Sequence, residues 1–142
     1  VGPALAARYR PGRGLIGVDA SAAMLAKAGE LGIKVGNRLY DGLTQADIAL
    51  RAAHTPPALI FSNAALNWLP DHPALLPRLV AMLAPGGVLA VQMPRQGAAP
   101  SHRLMREVAE GLFPDRFPAE TASVLQAVDY AQMLVPLGSV KA

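Results

Sequence analysis

Two apolar runs restrict this chain's fold more than any other feature: Ala58-Leu59-Ile60-Phe61, leading into Ser62-Asn63, and Val88-Leu89-Ala90-Val91, leading into Gln92-Met93. Neither alternates apolar with polar residues as a half-covered strand does. Each therefore reads as a strand of a parallel sheet, buried on both faces. Between them Pro73 opens a stretch with Leu75, Leu76, Leu79, Val80 and Leu83 at helical spacing, and Ala84-Pro85-Gly86-Gly87 forms a tight turn into the second run. Strand, helix, strand in that order predicts an α/β parallel sheet.

The N-terminal part repeats the alternation. Pro3 to Tyr9 reads as an Ala-rich helix stopped by Pro11 and Gly12, and Gly14 to Val18 as a short strand ending at Asp19. Ser21 is the N-cap of a helix carrying Met24, Leu25, Ala28 and Leu31, which Gly32 ends. Ile33 to Val35 reads as a short strand, but Gly36, Asn37 and Gly42 interrupt the pattern before the breaker Thr55-Pro56-Pro57. Leu66 to Leu69 reads as a turn or short helix. Ser101 is read as the cap of a helix to about Gly111, and a last helix is expected from about Thr121 to Leu134.

Composition narrows the function classes. The chain has 142 residues, of which 52% are hydrophobic and 16% charged, enough to build one core. Its net charge is +3, but the basic residues are scattered and aromatics are few. The expectation is a solvated surface without a nucleic-acid partner. With no cysteine, disulfides and thiolate chemistry are excluded. His54, His72 and His102 form no metal-ligand spacing and are read as surface or capping residues, His72 and His102 at helix starts. No metal site is expected. Neither a membrane-length apolar run nor a secretory leader is read, so the expectation is a cytoplasmic protein with no membrane partner.

In open parallel sheets ligands bind at the carboxyl ends of the strands. Those ends carry Asp19, Asn63 and Met93-Pro94. A carboxylate after a strand can accept both hydroxyl hydrogens of a ribose; the competing reading is a turn former or helix cap.

Several runs together raise the first reading. Val18-Asp19-Ala20-Ser21 with Met24-Leu25, the run Asn63-Ala64-Ala65-Leu66-Asn67-Trp68-Leu69-Pro70-Asp71-His72, the turn Leu83-Ala84-Pro85-Gly86-Gly87, and Pro100-Ser101-His102-Arg103-Leu104-Met105 resemble the class I methyltransferases that use S-adenosylmethionine. The resemblance covers about two thirds of the chain. It implies an incomplete Rossmann-like methyltransferase sheet, mainly parallel, with helices on both faces. It places the ribose acid on Asp19 and the adenine surroundings on Ala20 and Met24. A further adenine motif falls on Ala46-Asp47-Ile48, with Asp41 competing for the role of Asp47. The cofactor's methionine portion falls on Asn63 and Ala64. Trp68, Arg95 and Arg103 fall on the acceptor side, although Trp68 also reads as core and Asp47 and Asn63 also read as capping or turn residues.

The same resemblance implies methyl transfer to a small carboxylate such as trans-aconitate. A carboxylate is deprotonated near neutral pH, so no general base is required, and none is nominated. Residues 1–95 are expected to form the cofactor core and 96–142 a helical acceptor-side segment of one partial domain, monomeric in complete form. The family's first strand and its Gly-rich turn have no counterpart. That strand belongs between those ending at Asp19 and Asn63, and direct pairing of these two is expected in its place. On this ground the chain alone is expected to be weakly active or inactive. The rival readings are a catalytically inactive remnant and a nicotinamide-dinucleotide enzyme, which also places an acid after its second strand.

Overall fold

The computed structural model describes residues 2–9, 15–19, 21–30, 34–35, 56–95, 99–114, 116 and 124–141. It divides into two compact units, Val1–Ala58 and Leu59–Ala142.

In the first unit, α1 (Gly2–Tyr9) precedes β1 (Ile16–Gly17), α2 (Ala22–Glu30) and β2 (Lys34–Val35). β1 and β2 pair in parallel, Ile16 with Lys34 and Gly17 with Val35. The strand read over Gly14 to Val18 is thus shortened to two residues. Ser21 caps α2 as expected: Met24 N–H donates to Ser21 Oγ at 3.3 Å, and Leu25 N–H to the Ser21 carbonyl at 3.0 Å. Leu25 is the buried residue of that helix.

The second unit is a strand–helix–strand crossover followed by two helices. β3 (Leu59–Asn63) leads through a 3₁₀ turn (Leu66–Trp68) to α3 (His72–Met82), then β4 (Val88–Gln92), α4 (Pro100–Leu112), α5 (Ala127–Leu134) and a final 3₁₀ turn (Val135–Leu137). β3 and β4 pair in parallel from Leu59–Val88 to Asn63–Gln92. The described ladders are therefore β1–β2 and β3–β4; the expected direct ladder between β1 and β3 is not among them.

The α3 start is set by Asp71. Its carboxylate accepts the Ala74 N–H at 3.3 Å, and its backbone is left-handed at φ 55°, a conformation Asp tolerates better than most residues. Pro73 occupies the first turn, where no N–H is needed. Residues 72, 75, 76, 79 and 82 recur at helical spacing, and all five are buried; Leu76 is 2% exposed. α3 packs against β4 and α5.

Register-paired residues share a sheet face. Ile60, Ser62, Leu89 and Val91 are all half-buried, whereas Phe61 and Val88 on the other face are 41% and 55% exposed. The expectation of strands buried on both faces therefore fails within this unit. α4 likewise presents Leu104, Met105, Val108, Leu112 and the following Phe113 outward, lining an open groove of about 440 Å³.

Two helix starts differ from the sequence reading. Ala99, not Ser101, is the N-cap of α4, and Pro100 opens the helix, since its fixed φ suits the first helical position. α5 begins at Ala127 rather than near Thr121. Gln126 and Asp129 form a reciprocal capping box there, with Gln126 N–H donating to Asp129 Oδ2 at 3.0 Å.

Ala84-Pro85-Gly86-Gly87 closes with Gly87 N–H donating to the Ala84 carbonyl at 2.7 Å, and Gly86 has φ 74°. Proline second and a left-handed glycine third define a type II turn. No atom lies within 4 Å of a Cβ built on Gly86, so Gly86→Ala costs backbone strain alone. The expected loss is about 1–2 kcal/mol, read from the midpoint of urea unfolding; an unchanged midpoint would refute the turn assignment.

Candidate functional site

In the first unit the candidate residues Asp19 and Met24 are each hydrogen-bonded to Ser21, at the start of α2. Asp19 is half-buried, and its Oδ1 accepts the Ser21 N–H at 2.8 Å. The Asp19 carboxylate is thus held in place by the backbone of the residue that caps α2. The turn-former role weighed from sequence is real, and it orients an acidic group at a strand's carboxyl end. Met24, in the first turn of α2, leaves its thioether side chain 57% exposed. Ala20, Ala46, Asp47, Ile48 and the competing Asp41 lie outside the described residues.

In the second unit the carboxyl ends of β3 and β4 lie side by side, Asn63 opposite Gln92. The ladder extends one step further: Ala64 N–H donates to the Gln92 carbonyl at 2.9 Å. Ala64 is left-handed, at φ 51°. That conformation costs a residue with a β-carbon about 1–2 kcal/mol. Here it lets the chain turn away from the sheet while keeping that last ladder bond. Asn63 and Ala64 are both exposed at the strand end, the Ala64 N–H being already committed to the Gln92 carbonyl.

The 3₁₀ turn carries Trp68, which is 80% exposed. The core reading of Trp68 is thereby overturned. An indole this exposed has given up the burial that normally fixes a tryptophan. Arg95 is exposed just beyond β4. Arg103 on α4 pairs with Glu107 at 3.5 Å, one helical turn away, and both side chains are largely solvated, so the pair is weak. The structure thus gathers Asn63, Ala64 and the end of β4, and it ties Asp19 and Met24 each to Ser21. Arg103 stands on a separate helix within the second unit.

His72 corrects the sequence reading most clearly. It opens α3 as expected, yet it is 1% exposed rather than a surface residue. Its Nε2 lies 2.9 Å from the Leu66 carbonyl and its Nδ1 2.6 Å from the Tyr130 hydroxyl. The available signal was position: residue 72 falls on the same helical stripe as Leu75, Leu76 and Leu79. Gln92 contributes its backbone carbonyl, a role that residue identity does not reveal.

The methyltransferase domain family matches residues 3–138, and the chain belongs to it. Among curated proteins, the chain is similar to the trans-aconitate 2-methyltransferase of Methylobacterium nodulans, 46% identical over 131 residues, covering 90% of this chain and 47% of that protein. The same-named proteins of Methylobacterium radiotolerans and Paracidovorax citrulli are 50% identical over 105 residues and 44% over 140. These alignments cover 74% of this chain and 38% of the first protein, and 94% of this chain and 51% of the second. The chain spans about half the length of the curated relatives it matches. No described helix is long and apolar enough to cross a membrane.

The strain at Ala64 has a measurable sign. Ala64→Gly should stabilise the chain by about 0.5 kcal/mol, relief at φ 51° outweighing the greater entropy of the unfolded glycine chain. Ala64→Val should destabilise it. Opposite shifts in the urea midpoint check both; a loss in the glycine variant would show that Ala64 is not strained.

Proposed function

We propose that the chain contributes to methyl transfer from S-adenosylmethionine to a small carboxylate such as trans-aconitate. The observation that carries this reading is Asp19: a carboxylate at the carboxyl end of a parallel strand, held by the Ser21 N–H. The relatives' shared name and membership in the methyltransferase domain family support it. When bound, S-adenosylmethionine supplies an electrophilic methyl group on a sulfonium.

Each unit has residues suited to part of that work. Asp19 accepts ribose hydroxyl hydrogens, and Met24 offers its exposed side chain to the adenine. Of the residues outside the described set, Ala20, Ala46, Asp47 and Ile48 are assigned to the adenine side by resemblance alone. Asn63 and Ala64, exposed at the end of β3, are assigned to the methionine portion, with the Ala64 N–H held by the Gln92 carbonyl.

Trp68 shields the acceptor side from water. Arg95 and Arg103 attract the acceptor's carboxylates, Arg103 in competition with Glu107. An acceptor carboxylate is already ionised near neutral pH, so none of these residues has to remove a proton from it. Their contribution is alignment for in-line displacement.

Calorimetry on the whole chain with S-adenosylhomocysteine, and separately with NADH, tests the cofactor. Binding of S-adenosylhomocysteine alone is expected, weakened at least tenfold by Asp19→Ala, the equivalent of about 1.4 kcal/mol. Tight NADH binding alone would overturn the reading in favour of a nicotinamide enzyme. Transfer of a radiolabelled methyl group to trans-aconitate tests the acceptor. Cofactor binding without any transfer would favour an inactive remnant.

A further inference from the structure

Four polar groups in the second unit form one hydrogen-bonded chain, whose direction the Leu66 carbonyl sets for a neutral His72 ring. The Leu66 carbonyl can only accept, so His72 Nε2, at 2.9 Å, carries the hydrogen and donates. In the neutral imidazole Nδ1 is then an acceptor, and Tyr130 donates its hydroxyl hydrogen to it across 2.6 Å. The Tyr130 oxygen in turn accepts the Leu125 N–H at 2.9 Å. The two rings lie 5.7 Å apart and tilted by 43°. Both nitrogens of a ring that is 1% exposed are thereby satisfied.

The end of this chain matters most. The Leu66 carbonyl also accepts the Leu69 N–H at 2.9 Å, the bond that closes the 3₁₀ turn. With His72 it therefore has two donors, one for each lone pair. Leu66 is itself buried. The turn is gripped at its first residue, while Trp68, two residues on, projects into solvent.

We infer that His72, backed by Tyr130, is a positioning residue: it fixes the Leu66–Trp68 turn and thereby sets where Trp68 meets the methyl acceptor. The consequence for the acceptor rests on the function proposed above; the grip on the turn does not. His72 neither touches substrate nor moves a proton. An indole so exposed has no packing to hold it, and its place depends on the backbone beneath.

Trp68 is the chain's one tryptophan, so its emission reports this turn alone. In Tyr130→Phe the hydroxyl is lost and His72 Nδ1 has no partner. In His72→Gln the side-chain amide can still donate to Leu66. The expected result is a lower Trp68 anisotropy and easier acrylamide quenching in Tyr130→Phe, with His72→Gln closer to the parent. Quenching of Trp68 by trans-aconitate, with S-adenosylhomocysteine present, should weaken about tenfold in Tyr130→Phe, the scale of one hydrogen bond. Affinity for S-adenosylhomocysteine should change less than about twofold, well below that scale.

Unchanged anisotropy in both folded variants would overturn the inference. So would ¹⁵N chemical shifts of the unmutated chain showing the His72 hydrogen on Nδ1, a measurement that needs no variant to fold. If the anisotropy falls as expected but the parent shows no response to trans-aconitate, the proposed acceptor fails while the grip on the turn stands.

Discussion

The parallel register of β3 and β4 is the constraint on which the second unit depends. Two parallel strands cannot be joined by a hairpin; the chain must travel back along the full strand length before the second begins. α3 makes that journey, and its stripe from His72 to Met82 supplies all but one of the described buried residues of the unit. Register also brings both strands to an end together, at Asn63 and Gln92. A one-residue slip of β3 would move Ile60 to the open face and bring Phe61 to the half-buried one. It would also separate Ala64 from the Gln92 carbonyl. The same alignment that builds the core therefore brings Asn63 and Ala64 to the strand ends beside Gln92.

Local geometry at the candidate residues follows from chain reversal at those ends. After β1 the reversal is made by a side chain, with Asp19 holding Ser21. After β3 it is made by the backbone, with Ala64 in a left-handed conformation. The first solution leaves a carboxylate oriented, and the second leaves peptide groups presented. Both are what a polar small molecule needs from a strand end, and neither requires a titrating dyad.

Much of the second unit was legible in the sequence, because its signals are periodic and local. Apolar runs marked β3 and β4, leucine spacing marked α3, and Pro85-Gly86 marked the turn. What could not be read depended on partners distant in sequence or on unusual chemistry. The capping box that starts α5 uses Gln126 where serine or threonine is usual. Pro100 starts α4 by itself, which disguised Ser101 as a cap. His72 looked like a polar helix-start residue because Tyr130, its partner in burial, is 58 positions away. The exposure of Trp68 was not readable, since burial depends on what the rest of the chain brings to it. At Asp19 the two sequence readings, turn former and ligand acid, proved compatible, because one carboxylate oxygen serves the turn.

That separation of 58 positions also orders events in time. Closing a flexible loop of that length costs about 3–4 kcal/mol in chain entropy, whereas each hydrogen bond through the Tyr130 hydroxyl returns about 1 kcal/mol net. The two bonds cannot draw the ends together in an open chain. They can form only once the crossover has folded and shortened the distance between His72 and α5. α5 therefore docks onto α3 only after the crossover has formed. Its release uncovers a buried histidine while β3 and β4 remain paired, an order that native-state hydrogen exchange reads directly.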